Sequence, residues 1–157
     1  MTVQNITKNN KGFTLIELLV VIGILAILLA ITLIAINPAR QFGLANDTKR
    51  KSDVTQILNA VGQYVASNGG SIPTQITTTA LPLVSTNTDA TALCVLLVPN
   101  YLPAFPTDPS ENNQAGVSNC TAGAWNTHYT IVQDATHRIT VSSDTPSGYS
   151  TGAITVT

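Results

Sequence analysis

The chain has 157 residues, 44% of them apolar and 10% charged, with a formal net charge of -1. A chain of this size buries one modest core, and its near-neutral charge excludes an electrostatic nucleic-acid binder. Of the seven Lys and Arg residues all but Arg138 precede residue 52, so the C-terminal two thirds, with Asp89, Asp108, Glu111, Asp134 and Asp144, is mildly acidic and has little attraction for phosphate.

Residues 1–12 are short, polar and basic, with Lys8 and Lys11. From Phe13 the chain turns apolar, and between Leu18 and Ile36 it carries no charge. As a helix rising about 1.5 Å per residue the run from Phe13 to Ile36 covers roughly 36 Å, enough for a bilayer core of about 30 Å. A buried helix in a soluble protein is the alternative, but a chain this small has too little other apolar surface to wrap it on every side. A removable secretory signal fits less well, because the run is too long and Pro38 lies near any cut. Cations flank both ends, Lys8 and Lys11 on one side and Arg40, Lys49, Arg50 and Lys51 on the other, so charge counting leaves orientation divided. The size, polar coat and cysteines of residues 38–157 suit export, which places the N-terminus in the cytoplasm.

Glu17 is the anomaly in this run. A carboxylate in a transmembrane helix is unfavourable without a partner. Thr14 and Glu17 have the S/T-x-x-E spacing of a capping box, which gives the acid a local role. A cation brought by a second chain gives it an intermolecular one.

Beyond the run, Val54, Ile57, Leu58, Val61, Tyr64 and Val65 recur at three- and four-residue steps and predict an amphipathic helix over residues 37–68, ended by "SNGG" and Pro73. Asp47 and Lys51 stand at i,i+4 on it. Pro38 and Gly43 are expected to interrupt an otherwise long helical segment from residue 13 to about 67, with Pro38 bending it at the membrane exit. Residues 69–157 read as a small α+β head. The Thr-rich stretch 71–91 is a low-charge loop, solvated, packed on a neighbour or glycosylated. "TDATALCVLLVPNYL" predicts a short helix capped near Thr88 or Asp89 and stopped by Pro99. Three strands follow, "THYTIVQ" and "HRITVS" as a hairpin across "DAT", then "GAITVT".

Several chemical motifs dissolve on inspection. "GYSTG" at 148–152 matches G-x-S-x-G, but a nucleophile elbow needs a helix after it and an acid and His downstream, and only five residues follow. His128 and His137 have no Cys or carboxylate at metal-ligand spacing and read as surface strand residues. Asp108 and Glu111, with Asn112 and Asn113, are weak calcium candidates that a turn-rich loop explains equally. Cys94 and Cys120 are the only cysteines, and outside the cytoplasm they are expected to pair, for roughly 3 to 4 kcal/mol in the chain-entropy model. Two free thiols, with Cys94 a small core residue, are the alternative.

"KGFTLIELLVVIGILAILLAI" resembles the class III leader junction of type IV pilins and of the pseudopilins of type II secretion: a short basic leader, a Gly, a Phe, then an apolar run with Glu at the fifth place after the Gly. The resemblance implies that a prepilin peptidase cuts after Gly12 and methylates the new N-terminus at Phe13, and that Glu17 acts in assembly. The Phe13 amine so created can bear charge, so the Glu17 of one subunit can meet the Phe13 of its neighbour. A buried pair of this kind penalises wrong registers more than it stabilises the right one. The resemblance further implies that Gly23 and Pro38 bracket a segment that loses helicity in the filament, although the family's usual proline position is Ile34 here. The order of the head elements resembles the pilin head, an antiparallel sheet over the exposed half of the long helix, and "FPTDP" resembles a loop of major pseudopilins. A leader of this type points to a bacterium, so the glycosylation triplets at Asn46 and Asn119 are given little weight.

The implied protein is a non-enzymatic structural subunit without cofactor. It polymerises with itself and other pilins after meeting the prepilin peptidase and an inner-membrane assembly platform. It starts as a single-pass precursor in membrane lipid and ends in an extracellular or periplasmic filament. A type II secretion pseudopilin is the alternative, and a membrane-anchored binding module that never polymerises is the third reading.

Overall fold

The computed structural model describes residues 12–111, 115–143 and 154–157. The chain divides into two compact units between Pro38 and Ala39. The first contains one helix, α1 (Leu15–Ile36), in which no residue is buried. By length and composition α1 can cross a membrane. Gly23 lies inside it as an ordinary helical residue with open space around its Cα. At its C-terminal end Asn37 turns left-handed, with φ 47°. α2 (Pro38–Ser67) begins on the next residue. Pro38 therefore starts a helix rather than bending one, as suits a residue with φ already set and no N–H to leave unpaired in a first turn. The interruption is Asn37.

From Ala39 onward α2 belongs to the second unit. Gly43 does not interrupt it: it is helical and buried. The predicted stripe is the core face, with Val54, Ile57 and Val61 fully buried and Leu58, Tyr64 and Val65 packed at its margin. The helix stops where Gly69 and Gly70 take positive φ, and the Gly70 N–H donates to the Val65 carbonyl at 2.9 Å.

The Thr-rich stretch is not all loop. It contains β1 (Leu81–Val84), with Leu81 and Leu83 buried. α3 (Thr88–Leu97) follows, capped one residue earlier than predicted: the Asn87 carboxamide oxygen accepts from the Asp89 and Ala90 N–H groups at 2.9 and 3.3 Å. β2 (Asn126–Gln133) and β3 (Ile139–Ser143) form the predicted hairpin, and β4 (Ile154–Val156) pairs with β3. The result is a four-stranded antiparallel sheet in the order β1-β2-β3-β4. Alternation along β2 sends Thr127, Tyr129 and Ile131 inward to meet α2 residues and the α3 residues Leu93 and Leu97 in one core. At the hairpin tip the Asp134 carboxylate accepts from the Thr136 hydroxyl, the Thr136 N–H and the Arg138 N–H, and the Thr136 hydroxyl foremost holds it below the usual carboxylate range.

The fold class is the expected α+β. Cys94 on α3 is bonded to Cys120, with Cα atoms 5.7 Å apart, closing a loop that carries "FPTDP". Phe105 in that loop is fully buried and bridges to Val117. Cys94→Ser is expected to lower the unfolding free energy of the detergent-solubilised chain by about 2 to 4 kcal/mol. Urea titration followed by Trp125 fluorescence checks this, and an unchanged midpoint would show that the loop is held by its core contacts alone.

Candidate functional site

The N-terminal segment is built around one turn of chain. Gly12, Phe13 and Thr14 precede α1, and Thr14 is extended, at φ -79° and ψ 154°. Its hydroxyl accepts from the Glu17 N–H at 3.3 Å, while Glu17 Oε2 accepts from the Thr14 N–H at 2.7 Å and from the Thr14 hydroxyl at 2.8 Å. The capping box is thus complete, and the local reading of Glu17 is realised in the single chain. It uses one carboxylate oxygen. Oε1 accepts no hydrogen bond among the described residues. Phe13, immediately before the cap, is 85% exposed. Downstream, large apolar side chains are exposed all around α1, from Leu15 to Ile36.

A family model described as the prokaryotic N-terminal methylation motif matches residues 7–33. The chain carries that motif at its N-terminal end. That motif, the class III leader of type IV pilins and pseudopilins, supports a pilin-like or pseudopilin-like prepilin. No curated protein and no solved structure gives a significant match to the chain.

In the second unit, α2 carries a buried charged cluster. Arg50 is 2% exposed. Its Nε and Nη2 donate to the two oxygens of Asp108 at 2.6 and 2.8 Å, a fork-to-fork pairing, and its Nη1 donates to Asp47 at 2.8 Å. The Asp108 hydrogen bonds foremost raise the guanidinium pKa above its ordinary value. Asp108 is itself fully buried, its N–H donating to the Thr127 carbonyl at 3.1 Å and one oxygen accepting from the Ser110 N–H at 2.8 Å. One helical turn on, the buried Asp53 pairs with Lys49 and accepts from the Tyr129 hydroxyl at 3.0 Å. Burial and then the Asp53 charge push the Tyr129 phenol far up.

This geometry redistributes several expected roles. Asp47 makes an ion pair with Arg50, one residue short of Lys51. Asp108 has both oxygens on Arg50, and Glu111 faces the His128 imidazole at 3.1 Å, so the two weak calcium candidates are engaged by cationic or imidazole nitrogens. Among the described residues no three His, Cys, Asp or Glu side chains gather as a metal site. His128 thus has a carboxylate neighbour that spacing did not reveal, and His137 lies in the hairpin turn, at φ 65°, rather than in a strand. Asn112, Asn113 and the "GYSTG" motif fall outside the described residues. The overlooked group was Asp47, Arg50 and Asp53, and a signal existed. Positions 47, 50, 54, 57 and 61 continue one stripe at three- and four-residue steps, so the charges lie on the core side of α2.

Arg50→Met is expected to destabilise the head by about 3 to 5 kcal/mol, since it strands the Asp108 carboxylate out of water. Arg50→Met with Asp108→Leu is expected to recover much of that loss. Thermal unfolding of the two variants and the wild type measures both, and equal losses in the single and double variants would refute the pairing as the origin.

Proposed function

We propose that this prepilin is the structural subunit of a type IV pilus-like extracellular filament, assembled through α1 after removal of residues 1–12 by a prepilin peptidase. The observation that carries the reading is an apolar helix uncovered on its whole circumference, with one carboxylate oxygen in its first turn that accepts no hydrogen bond among the described residues. Such a surface is stable only against hydrocarbon. Lipid supplies it in the precursor, held in the inner membrane with its N-terminus in the cytoplasm. The helices of other copies, or of other pilins, supply it once the assembly platform has drawn the subunit out.

Cleavage after Gly12 creates an amine on Phe13, and methylation leaves it able to carry charge. Inside a bundle of helices that amine requires a counter-charge, and Glu17 Oε1 of a neighbouring subunit provides it without dismantling the cap on Oε2. Glu17 then does two things at once. It ends its own helix correctly, and it makes only one axial register between neighbours electrically neutral. The polymer is the functional entity, and no catalytic step is assigned to the chain.

Mass spectrometry of the protein from its host is expected to find a mature chain beginning at N-methylated Phe13, with Gly12→Val leaving the precursor uncut. A mature N-terminus at Met1, or beyond Ile36, would sink the proposal. Cap and charge separate in two further variants. Thr14→Ala removes the capping hydroxyl and should cost the helix end about 1 kcal/mol while fibres still form. Glu17→Gln keeps a capping residue at that place but loses the charge, so the protein should reach the membrane and be cut, yet give no fibres. Glu17→Leu should behave likewise in assembly. Electron microscopy of sheared surface material, beside an immunoblot of the membrane fraction, scores export and polymerisation separately. Normal fibres from the Gln variant would reduce Glu17 to a cap, and fibres confined to the periplasm would assign the chain to a pseudopilus.

A further inference from the structure

The sequence holds three Asn-x-Thr triplets: Asn5-Ile6-Thr7 falls in the leader, and the fold presents the other two, Asn46-Asp47-Thr48 and Asn119-Cys120-Thr121, differently. Such a triplet is an acceptor for N-linked glycan when it is exported and exposed on a surface loop, in a host that holds the transferase and its lipid-linked donor. The leader type gives these triplets little weight, and it is their placement in the fold that gives one of them more. Asn46 is half-buried within α2, the Thr48 hydroxyl donates to the Leu44 carbonyl at 2.9 Å, and Asp47 between them is bound to Arg50. Drawing this triplet into an enzyme's groove would unwind α2 and break the Arg50 cluster. The second triplet carries no such obstacle. Asn119 and Thr121 are exposed, whereas Cys120 between them is buried and fixed to Cys94. The disulfide therefore pins the middle residue and leaves the two chemically required ones on the outside.

The two required side chains are also held side by side. The Thr121 N–H and the Thr121 hydroxyl both donate to Asn119 Oδ1 at 3.2 Å. Hydroxyl and carboxamide are thus already in contact through the carbonyl oxygen, and Nδ2 is the atom these contacts leave unused. A groove of about 490 Å³ lies against Asn119, lined also by Ser118, Ala122 and Trp125. The Trp125 indole is held there by its Nε1–H donating to the Cys120 carbonyl at 3.0 Å. A first sugar ring on Asn119 has both space and an immobilised aromatic neighbour.

We propose that Asn119 is an N-glycosylation site of the exported head and that Asn46 is not. The donor is a polyprenyl-phosphate-linked or polyprenyl-diphosphate-linked oligosaccharide. Asn119 Nδ2 attacks C1 of the first sugar. The N–C1 bond forms, the C1–O bond to phosphate breaks, the lipid phosphate leaves with the bonding pair, and the Nδ2 proton passes to base. The inference rests on the export contained in the filament reading and is independent of polymerisation.

The test is tandem mass spectrometry of unreduced peptides from the chain purified from its host. The Asn119 peptide is expected to carry a glycan mass, and the Asn46 peptide to run at its unmodified mass. Asn119→Gln and Thr121→Ala should each abolish the added mass, while Thr121→Ser, which keeps the hydroxyl, should retain it. An unmodified Asn119 in protein whose Cys94–Cys120 bond is formed would overturn the site while leaving export intact, and glycan on Asn46 would overturn the discrimination. Reduced cysteines together with an N-terminus at Met1 would overturn export, and this inference with it.

Discussion

A guanidinium removed from water demands carboxylates, and Arg50 obtains them from two directions. Asp47 comes from its own helix, and Asp108 comes from a loop 58 residues further along the chain. Asp108 is placed by its backbone bond to β2, so the cluster connects α2, the "FPTDP" loop and the sheet at one point. Neither α2 nor the loop could be displaced alone without leaving a charge uncompensated in a poorly solvated place. The apolar core beneath would tolerate several relative placements of helix and sheet. The forked ion pair admits very few.

The two units solve opposite problems. The second hides its apolar stripe and pays attention to every buried charge. The first leaves its apolar surface in the open and keeps a single acid at one end. That contrast suits a chain with one membrane-compatible helix and one folded polar-coated unit. In the filament reading proposed above the solvent of α1 changes from lipid to protein, whereas the interior of the head is fixed by its disulfide and its ion pairs.

How much of this was legible in the sequence depended on whether each signal was local. α1 could be read because an uninterrupted apolar run of that length has few physical uses. The β2–β3 hairpin could be read from alternation on either side of a turn rich in Asp and Thr. The α2 stripe could be read from its period. β1 was hidden by Pro82, which argues against a central strand but is acceptable where this strand lies, at the sheet edge beside a bulge. Gly43 was taken for an interruption because its helix propensity is poor, and burial in the packed unit outweighed that propensity. The Arg50 cluster was hidden for another reason. Its decisive partner is far away in sequence, and charges on a helix are by default assigned to water. At the N-terminal segment the motif was fully visible, but that the cap uses only one of the two oxygens of Glu17 required coordinates.

Asn37 has a chemical consequence apart from its geometry. An exposed asparagine in a left-handed turn is ordinarily a point of slow ageing, because the backbone nitrogen of the following residue can close on its side chain and release ammonia. Here the following residue is Pro38, whose nitrogen bears no hydrogen and is already fully substituted. The ring closure is blocked. The joint between the two helices can therefore have the conformation that asparagine readily supplies without opening that route to deamidation.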